Sequence, residues 1–447
     1  MDALSLDGEL TKARIDGAVL RKDHAEYDRY RRIWNGVADR RPAAIVRATN
    51  VSDVQKTVRI AAERGALIAV RAGGHSLPGF STCDDGIVLD LSQMNAVTVD
   101  QAARTAQVMG GAFLQHLDAA GAKAGLVTPA GVVSHTGVAG LTLGGGMGWL
   151  SRRYGLSIDN LLEAELVTAD GQVIHASTEK EPDLFWALRG GGGNFGVVTR
   201  FTFRMHPLPA LTVGVWTYPY DDCAAVMAGF EALSAAAPRE LTTNFSLQKT
   251  QIVVTASWSG TAEKAEAAIS GFGRLAPQAS GGLGAMAYVD LQSRSDEATR
   301  WGQRHYQKGG FLDRIDGKVI ACMREAAATA PTAFSDIYIL QIGGAVSDVD
   351  EAATAYSGRA AKYYWISSAV WDESTDDQRC FAWARSAGKS LAALSLNANY
   401  VNEQADAGRD IASGAYGPQK YERLARIKGR YDPGNLFRLN QNIEPKL

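Results

Sequence analysis

The sequence predicts an α+β fold in two lobes, and three observations lead there. At 447 residues the chain exceeds what one hydrophobic core usually serves. Strand and helix signals mix in its first part without the regular repeat of a doubly wound sheet. After Pro207 and Pro209 the glycine clusters stop, and segments rich in Ala, Ser and aromatics run to about Leu394. The expected division is residues 1–209, residues 210–395 and a C-terminal segment, 396–447.

The elements follow in chain order. Residues 43–48 read as a strand, followed by a helix opened by a Ser52-x-x-Gln55 capping box and closed at Gly65, with Val54, Val58 and Ala61 as its buried stripe. Strand-like residues 67–70 continue into a polar, glycine-containing stretch, 71–79, and a further strand is expected at 87–91. Residues 96–108 suggest two short strands, and 113–120 a helix ending at Gly121. Residues 166–169 and 172–176 flank Asp170-Gly171, which favours a two-residue hairpin with a primed turn. Further strands are expected at 251–258 and 336–342, and a last helix at 421–428, stopped by Asp432-Pro433-Gly434.

Composition narrows the function. Hydrophobic residues are 46% and charged residues 21% of the chain, an ordinary globular balance. Lys plus Arg (46) nearly equals Asp plus Glu (48), so the basic surplus that neutralises nucleic-acid phosphates is missing. Residues 1–20 offer no apolar run of the kind a signal peptide or membrane span requires, and a cytoplasmic enzyme is the expectation. Cys83, Cys223, Cys322 and Cys380 lack paired spacing, so they read as reduced thiols, and no metal site is expected. Oligomeric state is not legible.

Glycine carries the strongest signal. The 47 glycines cluster informatively at Gly73-Gly74, between Gly131 and Gly148, and between Gly190 and Gly196. Such clusters let backbone N–H groups approach a phosphate, although for any single glycine a tight turn is the commoner reading. Gly191-x-Gly193-x-x-Gly196 matches the dinucleotide fingerprint in letters, but a helix precedes it and a strand follows, the reverse of the Rossmann order. No glycine run ends in Lys-Ser/Thr, so a P-loop is excluded, and the near match of residues 74–79 to a nucleophile elbow lacks its last glycine in register.

Taken together, Arg71-Ala72-Gly73-Gly74-His75-Ser76, the stretch 131–161, the stretch 183–203 and Tyr431-Asp432-Pro433-Gly434-Asn435-Leu436-Phe437 resemble the berberine-bridge-enzyme-like branch of the vanillyl-alcohol-oxidase flavoprotein superfamily. The resemblance spans about Ile33 to Ile443 and is greatest to bacterial members such as the hydroxynicotine oxidases and the flavoenzyme of the enterocin pathway. It implies a PCMH-type FAD lobe made of both chain ends, a substrate lobe on an antiparallel sheet, and FAD bonded covalently to His75. In that bond a neutral imidazole nitrogen is the nucleophile, and an unperturbed histidine has a pKa of about 6.5. Relatives that add a cysteine link have it where this chain has Val133, so a single link is expected. The resemblance also assigns cofactor contacts to Arg71, Ala72, Gly73, Gly74, Ser76 and Leu77, and to Ala130, Gly131, His135, Thr136, Gly137, Gly140, Gly145, Gly148, Trp149 and Leu150. Gly196, Val197, Val198, Asn440 and Asn442 complete that set.

A flavin accepts hydride while the protein removes a proton, so a positioned base is sought. Tyr400-Val401-Asn402 matches a Tyr-x-Asn element at the flavin face of relatives, and Tyr338 stands where related enzymes place a polar or ionisable residue; the enterocin enzyme has a glutamate there. His135 and Thr136 fall at a position associated with oxygen access. The expected activity is an oxidase that takes hydride from a small or secondary-metabolite-like organic substrate (an alcohol, amine or similar) to flavin N5 and reduces O2 to H2O2; a dehydrogenase, an oxygenating flavoenzyme or a non-catalytic flavin binder are the alternatives. Arg304, His305 and Tyr306 read as a solvated surface group. Trp216, Tyr218, Tyr288, Trp301 and Tyr306 favour an apolar or aromatic substrate.

Overall fold

The computed structural model describes residues 3–447, leaving the first two residues of the N-terminal stretch outside the description. Near the N-terminus, a four-stranded sheet runs in the order Ala18–Leu20, Ala44–Arg47, Ile87–Asp90, Ile68–Arg71, its last three strands parallel. Beside it lies a five-stranded antiparallel sheet, ordered Val97–Asp100, Thr105–Met109, Val197–Arg204, Leu161–Val167, Val173–Ser177. A seven-stranded antiparallel sheet is built wholly from residues 211–371.

The large sheet is two-faced because side chains alternate along a strand. On one face, Phe245, Leu247, Ile337, Ile339, Trp365 and Trp371 pack under helices Cys223–Ala235, Gly317–Ala328 and Asp377–Ala392. The opposite face carries Ser246, Asp336, Tyr338, Tyr364, Ile366 and Ser368 and turns toward the glycine-rich loops. The C-terminal helix Arg409–Tyr431, broken at Gly417-Pro418, packs Ala415, Tyr416 and Leu424 into the core that holds Leu184, Phe185 and Phe201.

Local signals hold with three corrections. The helix Val51–Arg64 buries Val54, Val58 and Ala61 and ends on left-handed Gly65, but Asn50 caps it, its side chain accepting from Asp53 N. Asn50 is the residue with extended backbone before the first turn, which a cap requires, whereas Ser52 is already helical. The helix expected to stop at Gly121 runs on through Lys123, since Gly121 is buried against the Leu126 carbonyl and the left-handed break falls at Gly125. The hairpin at Asp170-Gly171 forms, but with a three-residue loop: Gly171 N donates to Thr168 O and only Gly171, with φ of 76°, is left-handed. Asp170 instead accepts from Thr168 Oγ1 and Gln172 N, which holds it in the ordinary region.

Candidate active site

A cavity of about 610 Å³ lies between the glycine-rich loops and the open face of the seven-stranded sheet. At one end two loops touch through their backbones. A Cβ on Gly73 would stand 2.3 Å from Gly137 Cα, and one on Gly137 would stand 2.5 Å from Gly73 N, so only glycine permits the approach at either position. This contact carries His75 and His135 together, with His75 Nε2 2.7 Å from His135 Nδ1.

The His75 ring is clamped from other sides too. Trp34 stacks on it with centroids 4.4 Å apart and planes within 14°, and Trp301 meets it edge-on. Burial, with His135 and His305 adding to it, holds the His75 imidazole well below its ordinary 6.5, so the ring is neutral at physiological pH. His305 belongs to this cluster and not to a solvated surface: it is 2% exposed, stacks on Trp34 with centroids 4.0 Å apart, and burial takes its pKa down to about 3. Its neighbours Arg304 and Tyr306 point elsewhere, to Asp377 and Asp406. Asn35 ties the loop after Ile68–Arg71 to the strand Arg304–Leu312 here, donating to the carbonyls of Leu77 and His305 and accepting from His305 N.

Of the residues assigned to the cofactor, 72–77, Gly131, Thr136, Gly137, Gly140, 196–198 and Asn440 line the cavity, as does Val133. None of the four cysteines lines it. Eight assigned residues stand behind the lining. Arg71 donates to Tyr30 O and lies over the Trp301 ring. Gly148 passes so close to Ala130 O that a Cβ would be 1.9 Å from it, and Gly145 abuts Tyr356. Trp149 and Leu150 pack with Val213 and Leu291, and Asn442 accepts from Lys428 Nζ. His135 acts on the cavity through His75.

The cavity is also lined by Tyr400, 3% exposed, whose Oη accepts from Gly146 N at 3.1 Å and Asn402 Nδ2 at 2.9 Å. Asn402 also donates to the carbonyls of Gly140 and Leu141, docking the Tyr-x-Asn element on the short helix Val138–Gly144. Burial lifts the Tyr400 phenol above its usual range while the two N–H donors pull it down. Tyr338 is also raised by burial and by Asp336.

Two carboxyls that sequence reasoning missed line the cavity near Tyr338. Asp336 lines the cavity one pleat from Tyr338 and accepts from Ser246 Oγ; Glu403 follows Asn402. Burial pushes each up to about 7. Period-two alternation along 336–340 was the available signal for Asp336. Among the described residues, no Lys or Arg side chain lines the cavity. Of the aromatics expected at the substrate, Trp216, Tyr218 and Tyr306 lie in the helix-covered core, Tyr288 is buried near Trp149, and Trp301 stands outside the lining; Phe334, Tyr338, Tyr364 and Tyr400 line it instead.

Comparison with known proteins decides the family. An FAD-linked oxidoreductase of Dictyostelium discoideum is 33% identical over 96% of this chain and 95% of its own length. The chain belongs to the berberine-bridge-enzyme-like family of FAD-linked oxidoreductases. Residues 42–177 match the FAD binding domain and residues 399–444 the berberine and berberine-like segment. The (R)-6-hydroxynicotine oxidase of Paenarthrobacter nicotinovorans is 30% identical over 98% of both chains. The solved BBE-like 1 protein of Physcomitrella patens superposes with a TM-score of 0.91 at 25% identity over 99% of both chains.

The residues of this member of the family fit FAD. Gly140 and Gly193 line the cavity with no protein atom within 4 Å of a would-be Cβ, which leaves backbone open to a ligand. Asn440 Oδ1 and Gln441 Oε1 are buried acceptors that no protein donor satisfies, and both residues border the same cavity. Among the described residues, no group of three or more His, Cys, Asp and Glu side chains is arranged to hold a metal.

Proposed function

We propose that this protein is an oxidase that carries FAD by a single bond to His75 and oxidises a small amine or alcohol, with dioxygen as electron acceptor and hydrogen peroxide as product. Residues 1–209 and 396–447 form the cofactor lobe in this reading, and 210–395 the substrate lobe. The observation that carries it is one continuous cavity lined by His75 and also by Tyr400, Asp336 and Glu403. No described helix is long and apolar enough to cross a membrane, and the proposed compartment is the cytoplasm.

When bound, FAD supplies the hydride acceptor. His75 is an anchor. Its ring is neutral, and with Nε2 engaged by His135, Nδ1 is the nitrogen left for the bond. Val133 provides no second attachment, whereas Gly140, with no protein atom near a would-be Cβ, leaves backbone open to the ring system.

Proton removal falls to the carboxyls and tyrosines of the lining. A base works best with a pKa near the working pH, which favours Asp336 and Glu403 over Tyr338, whose phenol stays protonated and serves as a donor. Tyr400 orients the substrate heteroatom, and its two N–H donors favour the phenolate when it gives up a proton. Thr136 lines the cavity near His75, at the edge where dioxygen would reach. The carboxyls, with no lining cation, favour amines over acids, and the similarity to hydroxynicotine oxidase supports the same class.

The test is anaerobic mixing of the yellow protein with a panel of amines and alcohols, followed by stopped-flow addition of oxygen. An oxidase bleaches with a member of the panel and recovers rapidly with stoichiometric peroxide. Slow recovery in oxygen would overturn the oxidase assignment, and a flavin that no compound bleaches would overturn the enzyme assignment.

A further inference from the structure

The proposed oxidation does not use the contact between His75 and His135, yet several hydrogen bonds hold it in place. Ser134 is pinned by Asp296, its N–H to Oδ1 at 2.9 Å and its Oγ to Oδ2 at 2.5 Å. The carbonyls of Ser134 and Thr136 accept from Gln115 N and Leu114 N. His135 therefore sits on a fixed loop, and the Gly73–Gly137 contact sets its distance to His75. With Trp34 flat against the His75 ring, the imidazole cannot turn to exchange its nitrogens. His135 Nδ1 bonds only to His75, and its Nε2 is buried without a partner.

Two neutral imidazoles in such a pair share one proton, one ring donating and the other accepting. If His75 donates through Nε2–H, its Nδ1 keeps the lone pair a nucleophile needs. Bond formation at Nδ1 would then leave a cationic ring in a buried site that disfavours charge, unless the Nε2 proton departs.

We propose that His135 is the proton acceptor for covalent flavin attachment, taking the Nε2 proton of His75 through the 2.7 Å contact as Nδ1 forms its bond. This rests on His75 being the attachment residue. In the net step a C–H bond of the flavin's benzenoid-ring methyl breaks and a C–N bond to His75 Nδ1 forms. Two electrons pass through the flavin to dioxygen. The methyl proton and the His75 Nε2 proton, relayed by His135, complete hydrogen peroxide. His135 is a positioning and proton-accepting residue, acting through His75.

Full-length flavin-free protein, produced under riboflavin starvation, is mixed with FAD in air, and flavin retained on the denatured chain is followed by in-gel fluorescence and intact mass. His135→Asn keeps an acceptor near Nδ1 but cannot take a proton; His135→Ala removes both. Both variants should bind FAD reversibly with parental affinity and form the covalent bond about 100-fold more slowly, the scale of a lost general base. Added imidazole should restore the rate in His135→Ala and not in His135→Asn. Attachment by His135→Asn at the parental rate overturns the proposal while leaving the His75 assignment intact. A parent chain that never retains flavin overturns the His75 assignment itself.

Discussion

Substituting Gly137 by alanine tests the link between backbone packing and cofactor attachment. The new methyl carbon would lie 2.5 Å from Gly73 N and 2.6 Å from Gly73 Cα, where non-bonded carbon contacts are comfortable at about 3.5 Å and beyond. The two loops must part by about 1 Å, and neither neighbour is a flexible side chain that can swing aside. Overpacking of this kind costs about 1–3 kcal/mol. The same displacement takes the His75–His135 contact from 2.7 Å to beyond hydrogen-bond reach. Gly137→Ala should therefore lower the thermal unfolding midpoint and slow covalent flavin attachment about tenfold or more, read by differential scanning and by fluorescence of the denatured band. A variant that unfolds and acquires flavin as the parent does would show that the interlocked glycines do not set the site.

Other perturbations probe the rest of the cavity. Gly140→Ala meets no protein atom within 4 Å, so the flavin-free chain should unfold as the parent does while FAD affinity falls; unchanged affinity by fluorescence titration would remove residue 140 from the cofactor cradle. Tyr400→Phe leaves the buried Gly146 N–H without its acceptor, costing about 1–3 kcal/mol of stability, and should slow anaerobic flavin reduction by about 100-fold; an unchanged reduction rate in stopped flow would exclude Tyr400 from the chemistry. Glu403→Gln should remove a pH dependence of stability that develops between about pH 4.5 and 7. Burial raises the folded carboxyl from 4.5 to about 7, so the folded state holds its proton longer than the unfolded chain: the parent matches the variant below about pH 4.5 and loses stability relative to it as pH rises through 7. The full shift is worth about 3 kcal/mol, reduced to about 1–2 by the partial exposure of the side chain, and a pH-independent difference in unfolding midpoint would contradict the burial argument.

Much of this site was legible because glycine and strand periodicity report directly on backbone geometry. Residues 73–74, 131–148 and 190–196 converge on one cavity from three parts of the chain, and the strands at 251–258 and 336–341 form where β-rich alternation places them. What escaped depends on partners far away in sequence. His305 reads as exposed beside Arg304 and Tyr306, and only Trp34 and Asn35, about 270 residues earlier, bury it. Tyr338 drew notice as a position lacking a carboxylate, although the same face of its strand supplies one at Asp336. The hairpin at Asp170 and the cap at Asn50 show the local limit: the residue type points to the feature, and the hydrogen bonds select which neighbour fulfils it.

In the proposed function one flavin is bonded to this chain, through His75 alone. Acid precipitation followed by mass analysis of proteolytic peptides measures it directly. A single flavin adduct is expected, confined to the peptide containing His75, with complete release of flavin from His75→Ala. Flavin recovered wholly in the supernatant of the parent, or an adduct on any second peptide, would contradict it.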